Sequence, residues 1–131
     1  MATIKKFEDL EIWQSARKLN ADVYPLLQIL DERRSYKFKD QLDASAGSVM
    51  DNIAEGFERD GNKEFIQFLA VSKGSLGEVR SQLYRAFDRE VIDETKLNEL
   101  QTNCTELAAK IARFMIYLRN SDMKGNKYKV N

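Results

Sequence analysis

Two carboxylate pairs stand at a spacing that metal-dependent hydrolysis uses. Glu55 and Glu58 are three residues apart, and so are Glu90 and Asp93. One helical turn sets such a pair on one face, which is how some all-helical nucleotide hydrolases hold Mg²⁺. Here Gly56 and the turn sequence ERDGN interrupt the first pair's helix, and the second pair falls at a helix junction. Pairs of this kind also arise by chance among 21 acidic residues. The chain has no histidine. That removes Ser-His and Cys-His catalysis, the commonest general base, and histidine-containing zinc or di-iron sites. KGSLGE lacks the Gly-Lys-Ser/Thr ending of a phosphate loop and lies inside a helical run. The residues therefore predict no catalytic group, no metal and no cofactor. A carboxylate and Mg²⁺ hydrolase is the weakest of the readings kept open.

Binding chemistry has better candidates. Lys63, Lys73 and Arg80, with Arg59 just before them, fall within about a 100° arc of one helix at about 100° per residue. Lys5, Lys6, Arg33, Arg34, Lys37 and Lys39 can extend this basic group. Its plain alternative is a solvated face, with Glu78 and Asp88 near enough to pair. Formal net charge is zero, with 21 basic and 21 acidic residues, so a polyanion must be met by a local patch. Patches repeated in an oligomer would add their weak phosphate contacts.

The elements that position these residues are helices. Apolar residues recur with a 3,4 alternation in four runs. The first is Ile12, Ala16, Leu19, Val23, Leu26 and Leu30. The second is Leu42, Ala46, Val49, Ile53 and Phe57. The third is Phe65, Leu69, Ser72, Leu76, Val79, Leu83 and Ala86. The fourth is Leu97, Leu100, Cys104, Leu107, Ile111, Phe114 and Leu118. Each spacing lays one apolar seam along a helix, and no run alternates as a strand would. The breaks DERRSYK, ERDGN and REVIDET are short, so sequential helices are antiparallel neighbours. The expected fold is all-α, an up-down-up-down four-helix bundle over residues 1–119. Pro25 should kink the first helix, and Asp93 or Thr95 should cap the fourth. The last residues, 120–131, are expected to form a basic, aperiodic and flexible tail. From Arg119 onward the charge is +3, four bases against Asp122.

At 131 residues the chain needs no staple to bury a core. Its single cysteine, Cys104, lies on a seam and reads as a buried small hydrophobe in a reducing cytoplasm. Trp13, one position off the first seam, reads as a core-edge residue. The opening MATIKKFEDLEIW has no apolar stretch, so neither a secretory signal nor a membrane association is expected.

The third helix carries a second face. Ala70, Gly74, Gly77 and Ser81 point away from its seam at spacings of 4, 3 and 4, flanked by Ile66 and Tyr84. A glycine inside a helix costs about 1 kcal/mol relative to alanine. Helices that keep two usually gain the close approach of another helix. A four-helix bundle has no fifth helix to supply, so the strip predicts a homo-oligomer; its plain alternative is a pair of glycines tolerated on a solvated face.

Two stretches are distinctive: FEDLEIWQSARKL, and SVMDNIAEGFERDGNKEFIQFLAVSKGSLGEVRSQLYRA. Together they resemble the bacterial four-helix-bundle family also called 23S ribosomal RNA intervening-sequence proteins, from about Phe7 to Leu118. The resemblance implies the same bundle and a small cytoplasmic protein. A related accessory protein of diversity-generating retroelements is similar. It forms a five-subunit ring and associates with nucleic acid and a reverse transcriptase. The implied partners are a second copy of the chain, in a five-subunit ring, and RNA or DNA. An oligomeric scaffold that binds a protein partner instead stays open. Asn52, Glu55 and Gly56 match the family's NIAEG. They are expected to be structural, Gly56 as permissive helix-end backbone, Asn52 and Glu55 as partners of loop amides or a facing helix. The chain departs from the family pattern at Met50, where members often carry proline. At Asp43 and Ala44 members often carry a basic pair, so positive charge is missing there.

Overall fold

The computed structural model describes residues 2–121 and 129–130. Four helices carry the chain: α1 Glu11–Glu32, α2 Tyr36–Glu58, α3 Asn62–Asp88 and α4 Glu94–Arg119. A 3-10 turn, Phe7–Asp9, precedes α1. A two-residue antiparallel ladder pairs Ala2 with Val130 and Thr3 with Lys129, too short for any alternation to announce it. Of the expected tail, 122–128 and 131 lie outside the described residues. Each helix packs on the next, and α4 closes back on α1. The result is a four-helix bundle.

Every seam position of the first three runs is buried. In α4 the seam shifts by one residue near its end. Met115 is buried where Phe114 was expected, and Phe114 is only half-buried. The Phe114 ring instead meets Phe65 edge-on at 5.5 Å and stacks on Tyr117 at 5.8 Å. An aromatic group in a bundle end gains from such pairings.

The seam between α2 and α3 is partly polar. Ser72 Oγ donates to the Val49 carbonyl (2.7 Å), Ser75 Oγ to Ser48 Oγ (2.8 Å), and Gln82 Nε2 to Ser45 Oγ (3.1 Å). The four serines are small enough to let the two helices approach closely. Gly56 is the tightest point. A Cβ there would lie 2.7 Å from Phe68 Cβ and 2.8 Å from Phe65 Cδ1. Gly56 is thus needed for packing, not for helix-end backbone as expected, because α2 runs two residues past it to Glu58.

Helix ends follow local chemistry. Asp93 caps α4, its Oδ1 accepting from the Lys96 amide at 2.8 Å. Pro25 sits inside α1, which runs unbroken through it with Ala21 and Pro25 both exposed. α1 and α3 end alike. The Ser35 amide reaches the Leu30 carbonyl (2.9 Å) and the Val91 amide the Ala86 carbonyl (2.8 Å). The residues between, Arg34 and Glu90, take left-handed backbone with φ of 59° each. That is the usual close of a helix, with glycine's place held by charged residues.

Candidate nucleic-acid interface and subunit face

The carboxylate pairs come first. Glu55 and Glu58 share one uninterrupted helix, contrary to expectation, since α2 continues through Gly56. Both are exposed, and Glu55 makes an ion pair with Arg59 at 3.7 Å. Glu90 and Asp93 lie past the far end of α3, whose 27 residues span about 40 Å at 1.5 Å per residue. The two pairs cannot share a cation. Among the described residues no group of three or more histidine, cysteine or carboxylate side chains is placed to hold one.

The family-motif residues bond locally. Asn52 Nδ2 donates to the Ser48 carbonyl (2.8 Å) and Ser48 Oγ (2.9 Å), within its own helix. It reaches α3 only through Ser48 and Ser75. Glu55 meets Arg59, one turn on, not a loop amide or a facing helix.

The basic residues divide. Arg59 ends α2, and its guanidinium lies over the Phe68 ring at 5.1 Å. Phe68 is about 120–140° around α3 from Lys73 and Arg80. Arg80 turns toward α4, where Nε donates to Gln101 Oε1 (2.9 Å) and Gln101 Nε2 returns a bond to the Arg80 carbonyl (2.8 Å). Lys63 and Lys73 are exposed and make no ion pair among the described residues. Glu78 and Asp88 pair with none of these bases.

The small-residue strip is uncovered. Ala70, Gly74, Gly77 and Ser81 are exposed, Tyr84 is 50% exposed, and Ile66 is half-buried. A Cβ on Gly74 or Gly77 would meet nothing within 4 Å. The strip does not stop at α3. The Arg80–Gln101 clamp fixes which side of α4 adjoins it, and Ala109, Ala112 and Ile116 fall within about 80° of Gln101 on that side. Ile116 is 53% exposed.

Sequence reasoning missed one arrangement. Phe38 is buried beneath two guanidiniums, Arg85 at 4.2 Å and Arg89 at 4.8 Å from its ring centroid. Arg33 lies beside them, Nη1 donating to the Arg89 carbonyl (2.8 Å) and Nη2 to the Glu90 carbonyl (3.0 Å). The available signal was the Arg85/Arg89 pair itself, since like charges four apart disfavour a helix unless something organises them.

Cys104 is fully buried, and that burial pushes its thiol up to about 11, against a weaker pull from Arg80. It is a core residue. Trp13 is half-buried, edge-on to Phe7 at 5.1 Å, as a core-edge residue should be. Among the described residues no helix is long and apolar enough to cross a membrane.

Comparison with known proteins agrees on the fold. The profile of the 23S rRNA-intervening sequence protein family matches residues 8–113. A crystal structure from Bacteroides thetaiotaomicron, described as a protein with unknown function from the S23 ribosomal protein family, is similar with a TM-score of 0.74. It is 16% identical, over 79% of this chain and 97% of that one, which speaks to fold alone. No curated protein matches the chain.

Proposed function

We propose that this chain, which belongs to the 23S rRNA-intervening sequence protein family, acts without catalysis as a homo-oligomer that associates with nucleic acid, RNA foremost. The observation that carries the reading is the open strip across α3 and α4. Two helix-interior glycines with free space above them, bordered by half-exposed Tyr84 and Ile116, suit a second copy of the chain. Tyrosine is enriched where subunits meet, and an apolar neighbour such as Ile116 suits the buried centre of such a contact. The family's description names a ribosomal RNA sequence, and Lys63 and Lys73 stand free beside the strip. An assembly would repeat them and multiply weak phosphate contacts.

The test is sedimentation of the wild-type chain and of Gly77→Leu, with titration of a labelled RNA at two salt concentrations. Because the Gly77 Cβ direction is open, Gly77→Leu leaves the single chain folded. The expected result is a wild-type oligomer, five subunits in the ring the resemblance implies. The variant should sediment as smaller species with unchanged helicity and bind RNA more weakly. A wild-type monomer at tens of micromolar would remove the reading. An oligomer indifferent to RNA at low salt would leave a scaffold for a protein partner.

A further inference from the structure

The geometry points to the α1–α2 and α3–α4 turn end of the bundle as the phosphodiester-binding site, with Arg34, Arg85 and Arg89 as the contacting groups and Arg33 positioning them. This rests on the nucleic-acid reading above and names the site for it. Three observations converge.

First, the guanidiniums are held in place. Arg85 and Arg89 stack on one buried ring, and Arg33 braces the backbone of Arg89 and Glu90 with two hydrogen bonds. A planar guanidinium fixed on an aromatic face keeps its N–H edge outward, the geometry that suits phosphate oxygens. Second, these charges are not neutralised. None of Arg33, Arg34, Arg85 and Arg89 makes an ion pair among the described residues, although Glu32, Asp88 and Glu90 are their chain neighbours. Among the described residues, apart from Arg33's two bonds, the one polar contact of these guanidiniums is Arg85 Nη1 to Gln41 Oε1, long at 3.4 Å. The Arg89 and Glu90 carbonyls, just past the end of α3, are taken by Arg33, and the Arg85, Ala86 and Phe87 carbonyls by backbone amides. Third, Arg34 follows Arg33 directly in the α1–α2 turn and is exposed there. Arg59 and Arg80 differ: one is ion-paired and the other clamped to Gln101.

Nucleic acid offers the shared chemistry of the phosphodiester, whether RNA or DNA. The experiment titrates the full chain with labelled single-stranded RNA and matched DNA across 50–200 mM salt. Arg85→Gln/Arg89→Gln is compared with Arg34→Gly and with Lys63→Ala/Lys73→Ala. The double arginine variant uncovers Phe38, so melting is followed alongside. Arg34→Gly relieves the backbone and keeps the fold. Expected are a roughly tenfold loss for the double variant and a smaller loss for Arg34→Gly. The log–log salt slope should fall by about 0.7 per lost single-strand contact. Loss on RNA alone identifies RNA as the source, and equal loss on both identifies the backbone common to them. Wild-type affinity and slope in Arg34→Gly and in the folded double variant, with loss only in the lysine pair, would overturn the site and leave the function standing. Absence of salt-dependent binding by the wild-type chain would overturn both.

Discussion

At the scale of single residues, Gly56 is the most constrained position outside the seams. Adding one methyl would drive it into Phe68 Cβ, which is fixed to the α3 backbone, and into the ring of fully buried Phe65. Neither is the far end of a flexible side chain, so the helices must part. Gly56→Ala should therefore cost about 1–3 kcal/mol by overpacking, read as a lower midpoint in urea with helicity retained in water. Glu55, its neighbour in the same motif, is exposed and held only by an ion pair of 3.7 Å. Exposed pairs of that length contribute little. An unchanged midpoint for Gly56→Ala would mean that the close α2–α3 approach is not what holds this end together.

At the scale of elements, the ends of α1 and α3 carry a strain that their sequences conceal. Arg34 and Glu90 both sit at φ 59°, where a side chain crowds the following carbonyl. Glu90 makes no ion pair among the described residues, and its carbonyl, which takes Arg33 Nη2, survives any substitution. Glu90→Gly should raise stability by about 0.5–1 kcal/mol, seen as a higher melting temperature with the same cooperativity. A fall would show that the Glu90 side chain has a stabilising partner in solution. Helix number, seams and turns were legible because burial imposes one period on each run, from Ile12 to Leu118. The site was legible only in part. Arg33 and Arg34 stood out as basic, but Arg85 and Arg89 were not singled out, because nothing in spacing says that Phe38 lies under them from another helix. The basic group on α3 looked continuous for the converse reason. Projection on one helix ignores that Arg80 is drawn to Gln101 on α4 and Arg59 to Phe68.

At the scale of the whole molecule, the two glycines of α3 turn a stability measurement into a test of assembly. In an isolated bundle their Cβ positions are empty, so Gly74→Ala/Gly77→Ala gains helix propensity of about 1 kcal/mol per site and collides with nothing. In an assembly that seats a second copy on the strip, the same two methyls enter the contact and push the backbones apart. The sign of the effect thus depends on whether the face is covered. Net charge is zero, so no long-range repulsion keeps copies apart, and the strip decides. We expect the wild-type melting temperature to rise with protein concentration, as linkage requires of an oligomer. The double variant should lose that dependence and melt lower at high concentration, yet higher than the wild type when both are dilute. A variant that melts higher at every concentration would mean that the strip stays open, and that its glycines serve something other than a neighbouring subunit.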